Sequence, residues 1–208
     1  MNSLPLTIVL ATRNPHKGKE LTALLSPYGI EAATLASFPG APEVVEDGKT
    51  FEENARKKAV QISSYTHLPT LADDSGLVVE ALGGNPGVYS ARYAGEKATD
   101  EENNRKLLKE MAAVPPGKRQ ASFVSVIAYA EPEGEVNLFR GVIDGEILFE
   151  PRGAYGFGYD PLFYIPSLGK SMAELAPEEK NRISHRAKAY RNFIDFFAKR
   201  SKVRRCSL

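Results

Sequence analysis

Leu71-Ala72-Asp73-Asp74-Ser75-Gly76-Leu77 sets two adjacent carboxylates inside an apolar run that otherwise reads as a buried strand. Burying an ionised carboxylate is costly unless a cation or several donors meet it. A chain that folds around such a pair has something for it to hold. A divalent cation such as Mg²⁺, which prefers hard oxygen ligands, is the first candidate. The competing reading is structural: Asp73 or Asp74 caps a turn before Ser75-Gly76, where Asp, Ser and Gly are all favoured. The pattern around the pair predicts strand, turn and strand over Thr70 to Leu82.

Working outward toward the N-terminus, Leu6 to Ala11 is an apolar run that predicts a buried strand. A polar turn, Thr12 to Lys17, leads into a helix opening at Gly18-Lys19-Glu20-Leu21, with Leu21, Leu24 and Leu25 at helical spacing. Ile30 to Leu35 is a short strand candidate, and Phe38 to Lys49 reads as a loop. Thr50 with Glu53 forms a capping-box pattern for a helix reaching about Tyr65. On the other side of the acidic pair, Gly83 to Gly87 is a loop by composition. Thr99 with Glu102 caps a helix that ends before Pro115-Pro116-Gly117. Arg119 to Ala130 and Val136 to Phe149 are strand-like, joined by a turn at Glu131-Pro132-Glu133-Gly134. Gly153 to Tyr159 is rich in glycine and aromatics, and Pro161 to Pro166 is a short apolar strand. Pro177, with Glu178 and Glu179 beside it, starts one final helix whose core face carries Phe193, Phe196 and Phe197. The order predicts a mixed α/β sheet.

The 208 residues predict one domain, 1–208, with room for two lobes. A net charge of +1 gives no electrostatic argument for nucleic acid or a membrane surface. No apolar run is long enough to span a bilayer, and Met1 to Pro5 lacks a basic targeting region. The single cysteine, Cys206, lies in a basic tail (199–208), which excludes an internal disulfide framework and argues against a catalytic thiol. The chain reads as cytoplasmic, with a solvated tail.

Four further segments bear chemistry. Thr12-Arg13-Asn14-Pro15-His16-Lys17 joins a strand to a helix, where backbone N–H groups, the helix dipole and the Arg13 and Lys17 charges favour an anion. An ordinary strand–helix turn is the alternative. Glu53 is either only the partner of Thr50 in a capping box or a carboxylate that reaches a metal shared with Asp74. In Gly156-Phe157-Gly158-Tyr159-Asp160, the glycines allow close backbone approach, Phe157 offers a stacking ring and Asp160 an acceptor for the N–H groups of a heterocycle. In the run Lys180 to Arg186, Lys180, Ser184 and His185 fall on neighbouring positions of a helix and donate toward an oxygen-rich ligand, unless the run is only a solvated basic face. Together they describe a metal-dependent site for a purine nucleoside triphosphate.

At these residues the chain resembles the inosine triphosphate pyrophosphatase family. The resemblance is carried by ATRNPHKGKEL, TFEENARKKA, LADDSGLVVEALGGNPGVYSARYAG, GFGYDPLFYIP and MAELAPEEKNRISHRAKA, in that order from Ala11 to Ala189. It implies an elongated mixed α/β sheet with flanking helices in two lobes, and an active-site cleft between them. It also implies a homodimer, Mg²⁺ dependence, and hydrolysis of inosine, deoxyinosine and xanthosine triphosphates to monophosphate and pyrophosphate. Carried over by motif, the phosphate turn from Thr12 through Lys17 binds the triphosphate, with Thr12, Asn14 and Lys17 making the principal contacts. Glu53 and Asp74 ligate the metal with support from Asp73, and Asp74 accepts the proton of the attacking water. Ser75 touches the nucleotide, and Phe157, Gly158, Tyr159, Asp160, Lys180, His185 and Arg186 frame sugar and base. Arg13 and His16 stand where many members have glycine, so the contacts of this turn are its least transferable part. Two alternatives stay open: a nucleotide-binding regulator without catalysis, and a pyrophosphatase for modified pyrimidine triphosphates.

Overall fold

The computed structural model describes residues 7–206, with side chains as far as residue 200. The expectations for Met1 to Pro5, for the Cys206 thiol and for the end of the tail fall outside the described residues. The elements are β1 (Thr7–Leu10), α1 (Pro15–Leu25), β2 (Glu31–Thr34), α2 (Phe51–Thr66), β3 (Thr70–Val79), α3 (Asp100–Glu110), β4 (Gln120–Ala130), β5 (Val136–Ile147), β6 (Phe163–Ile165), β7 (Lys170–Ser171), α4 (Pro177–Ile183) and α5 (His185–Cys206). The seven strands form one sheet in the order β2-β1-β3-β4-β5-β6-β7. β1 pairs parallel with both β2 and β3, which is what helical crossovers through α1 and α2 require. β6 pairs antiparallel with β5 and with β7.

The chain divides into two compact units. Residues 1–74, 126–140 and 188–208 make the first, and 75–125 and 141–187 the second. Three of the four crossings between them fall inside β3, β4 and β5, and the last falls inside α5. In the first unit Ile8, Leu10, Leu21, Leu25, Leu71 and Phe193 share a core with Tyr129 and Tyr190. In the second, Leu77, Leu107, Phe123, Phe163 and Met172 do the same. Burial of each such side chain contributes about 1.5–3 kcal/mol. Among the described residues no helix is long and apolar enough to cross a membrane.

The structure departs from the sequence reading in four places. Thr70 to Leu82 is not strand, turn and strand: β3 runs unbroken through Asp73-Asp74-Ser75-Gly76 to Val79. The turn residues extend because both faces of the strand are covered, so tertiary burial overrides local turn preference. α1 starts at Pro15 rather than Gly18, because Asn14 caps it by accepting from His16 and Lys17 N–H and Pro15 suits the first helical position. The final helix is two helices: Ser184 turns extended (ψ 160°), and its Oγ accepts from Ala187 N–H to cap α5. β7 has only two residues and no periodicity to reveal it. The tail backbone continues α5 to Cys206, and Arg200 donates to Glu131 at 3.1 Å.

Candidate active site

β3 positions the acidic pair. Neighbouring residues of a strand face opposite sides, so the two carboxylates part company although both are buried, at 2% and 5% exposure. Asp73 meets Lys17 of α1 at 2.8 Å. Asp74 meets α2: Lys58 Nζ lies 3.2 Å from its Oδ1, and Asn54 Nδ2 donates to its Oδ2 at 3.2 Å. Lys58 also donates to the Asp73 carbonyl at 2.8 Å and to Glu46 Oε1 at 3.1 Å. Glu46 and Asp74 therefore share the Lys58 ammonium. Four groups thus share one small volume of the first unit: Asp74, Glu46, Lys58 and Asn54.

Their charges tune one another. Burial pushes the Asp74 carboxyl up to about 6, Lys58 and Lys17 pull it down, and Glu46 and Asp73 push it up further. Burial would also raise Glu46, but the charge and hydrogen bond of Lys58, with Asp74 and Lys17, bring it below its usual value. Lys58 loses solvation, yet Asp74, Glu46 and Asp73 more than compensate, so it holds its proton more firmly than a free lysine. The result is a carboxylate ionised at neutral pH and still basic, beside a fixed positive charge.

Glu46 and Lys58 were not among the residues singled out from sequence. Glu46 lies in the irregular segment before α2, 28 residues from Asp74, where no periodicity exposes it. Lys58 and Asn54 did leave a signal. α2 buries Phe51, Asn54, Ala55, Lys58, Ala59 and Ile62, so two polar residues one turn apart interrupt an apolar stripe. Glu53, expected as a metal ligand, is engaged elsewhere: its Oε2 accepts from Lys49 and Thr50 N–H at 2.6 and 3.2 Å, completing the capping box with Thr50. The capping arrangement is formed, and Glu46 shares the Lys58 ammonium with Asp74.

The phosphate turn is also spoken for locally. Thr12 Oγ1 accepts from Asn14 N–H, and Asn14 Oδ1 accepts from His16 and Lys17 N–H. The backbone donors counted toward an anion are therefore satisfied by the cap, leaving the helix dipole and side-chain charge. Arg13, in an exposed position, donates to the Ala41 carbonyl at 2.9 Å. Thr12, Arg13, Asn14, Pro15, Gly18 and Lys19 line part of a groove of about 830 Å³ along α1.

The second unit gathers the aromatic loop. Lys180 Nζ lies 2.6 Å from Asp160 Oδ2 and 4.7 Å from the centre of the Phe157 ring, and the Arg186 guanidinium lies 5.5 Å from the same ring. Asp160 Oδ2 also accepts from Phe157 N–H at 2.9 Å. Through these bonds the carboxylate fastens the loop. Gly156 (φ +81°) makes the arrangement possible, since a Cβ there would overlap Asp160. Gly158 is gripped from α3: its N–H donates to Asp100 and its carbonyl accepts from Asn104. The Tyr159 hydroxyl donates to the Ser90 carbonyl, Arg186 donates to Ser75 Oγ at 3.0 Å, and His185 stacks on Phe123 with ring centres 4.8 Å apart. Lys180, His185 and Arg186 are 5%, 4% and 3% exposed, which rules out a solvated basic face.

Hard oxygen donors from Asp74 and Glu46 suit Mg²⁺, which is held by one or two carboxylates and completes its shell with phosphate oxygens and water. Among the described residues no three His, Cys, Asp or Glu side chains stand grouped as a metal cage.

The model of the Ham1 family matches residues 8–196. The chain is 54% identical to a dITP/XTP pyrophosphatase from Geobacter sulfurreducens, over 88% of this chain and 92% of the relative. It is 50% identical to a protein of the same name from Lactiplantibacillus plantarum, over 93% and 95%. The solved structure of a HAM1 protein from Coxiella burnetii superposes with a TM-score of 0.85 at 45% identity, covering 93% of this chain and 99% of that one.

Proposed function

Because the chain belongs to the Ham1 family, we propose that it hydrolyses inosine, deoxyinosine and xanthosine triphosphates to the monophosphate and pyrophosphate, clearing damaged purine nucleotides. The carrying observation is Asp74: a buried carboxylate raised to about 6 and held by Lys58 and Asn54. In this reading Asp74 takes a proton from water as the water oxygen bonds to the α-phosphorus. The bond from that phosphorus to the β-bridging oxygen breaks, and the electron pair leaves with pyrophosphate. A positioned base contributes about 10²–10⁴-fold. Lys58 holds Asp74 by its charge and stays protonated. Lys17, with a side chain 17% exposed, supplies positive charge for the triphosphate. We assign the Mg²⁺ ligands to Glu46 and Asp74, with Asp73 one residue away and tied to Lys17. The ion supplies neutralisation of phosphate charge when bound.

Phe157 offers a stacking face for the base, and the donors of Lys180 and Arg186 suit a 6-oxo purine, whose acceptor stands where adenine has an amino donor. Sites built on such hydrogen bonds reject the mismatched partner by up to roughly 10⁴-fold. A pure binding module has no use for a carboxylate poised near neutrality, so the geometry favours the enzyme over the regulator. The test is release of pyrophosphate versus phosphate from inosine, xanthosine, adenosine and guanosine triphosphates, with and without Mg²⁺. Pyrophosphate from the inosine and xanthosine forms alone is expected, only with the metal. Equal kcat/KM on adenosine triphosphate overturns the base assignment, and no turnover of any triphosphate overturns the hydrolase. The homodimer belongs to the same proposal, and sedimentation equilibrium reads it.

A further inference from the structure

Both ends of the Asn54 amide are committed. Asn54 closes the first turn of α2 and is 1% exposed. Its Oδ1 accepts from Gly48 N–H at 2.8 Å, and its Nδ2 donates to Asp74 Oδ2 at 3.2 Å. The Gly48 N–H can only donate, so it fixes which end of the amide is oxygen and leaves the nitrogen facing Asp74. One turn along α2, Lys58 grips the other Asp74 oxygen, so two donors four residues apart hold the two oxygens of one carboxylate. Gly48 permits the close approach. A Cβ there would stand 2.6 Å from Asn54 Oδ1 and 2.8 Å from Glu53 Cβ. Gly48 is two residues past Glu46, so the backbone that Asn54 ties down is the backbone that carries Glu46.

We propose that Asn54 is a positioning residue for the hydrolysis: one planar amide orients the Asp74 carboxylate and fixes against it the segment bearing Glu46. The inference rests on Asp74 being the proton acceptor. An amide does not ionise, so it holds the base at every working pH without competing for its proton. Locked at both ends, it cannot rotate away, and a shift of Gly48 is passed directly to Asp74. Lys58 alone does not do this, because a flexible ammonium shared among Glu46, Asp74 and the Asp73 carbonyl fixes distance better than direction.

The test compares kcat and KM for inosine triphosphate, and thermal unfolding, in the full chain and in Asn54→Asp, Asn54→Ala and Gly48→Ala. Asn54→Asp keeps an acceptor for Gly48 N–H but replaces the donor facing Asp74 with a carboxylate oxygen that repels it. It is expected to lower kcat by about 10- to 100-fold, the scale of a misplaced reacting group, with KM nearly unchanged. Asn54→Ala should do no better. Gly48→Ala leaves the Asn54 chemistry intact but crowds its amide, and should lower kcat in the same sense by less. An Asn54→Asp protein with kcat within about threefold of the parent overturns the proposal, as does a loss confined to KM. If the Asn54 variants do not fold, Gly48→Ala decides, and full kcat in folded Gly48→Ala overturns it. A parent chain that releases no pyrophosphate overturns the hydrolase reading first; an active parent with an active Asn54→Asp overturns the role of Asn54 alone.

Discussion

Each unit buries a lysine against an aspartate, and the two pairs are built for opposite ends. In the second unit Lys180 sits 2.6 Å from Asp160 Oδ2, and the same oxygen receives Phe157 N–H. There one carboxylate oxygen receives both a charged and a backbone donor, which hold it in the loop. In the first unit Lys58 lies 3.2 Å from Asp74 and is shared with Glu46 and the Asp73 carbonyl. One ammonium is divided among three acceptors, and burial pushes the Asp74 carboxyl up to about 6. The residue types are the same. The sharing of the ammonium and the raised Asp74 carboxyl separate the two settings.

Replacing Asp74 should test this contrast most severely. Asp74→Asn is expected to cut turnover by about 10²–10⁴-fold, read as pyrophosphate release, while the protein stays folded. Asp160→Ala should instead cost about 3–5 kcal/mol of stability by urea unfolding, because it strips a buried ammonium of its carboxylate. If Asp74→Asn unfolds the chain, or Asp160→Ala leaves the unfolding midpoint untouched, the contrast fails.

The pH response sharpens it. Asp74 rises from its usual 3.8 to about 6 on folding. A raised carboxyl contributes stability that is full below 3.8 and lost as pH climbs through about 6. The parent melting temperature should therefore fall between pH 5 and pH 7.5 by more than that of Asp74→Asn, the difference reflecting about 1.4 kcal/mol, the single pH unit between 5 and 6. Glu46, held low, works the other way and loses its contribution as pH falls. The kcat/KM of the parent should rise as Asp74 ionises through about 6. The smallest effect belongs to Arg13, whose hydrogen bond to Ala41 is exposed. Arg13→Gly should change stability by less than about 1 kcal/mol in the same urea titration. A larger loss would make the phosphate turn depend on that bond.

Much of this was legible before any coordinates. The runs around Ile8 to Leu10, the capping boxes at Thr50 and Thr99, and the apolar lengths of β4 and β5 are local signals, and the elements follow them to within a few residues. The acidic pair and the aromatic loop were visible because their composition is improbable for a strand or a surface turn. Glu46 was not visible, since its meaning comes from Lys58, twelve residues on, and from β3 beyond that. Glu53 satisfies two descriptions, helix cap and metal ligand, and the hydrogen bonds show the cap. The Ser184 break escaped notice because the residues on both sides favour helix, and the interruption is set by where His185 and Arg186 are buried.

The unbroken course of β3 has a consequence for variation. Asp73 and Asp74 are chemically identical and adjacent, yet one answers to Lys17 and the other to Lys58. Deleting a single residue upstream within the strand would leave the composition almost intact while moving Asp74 to the place opposite Lys17 and Ser75 to the place opposite Lys58. Such a change should be as damaging as losing the acid outright, and a one-residue deletion near Leu71 is the lesion this strand tolerates least.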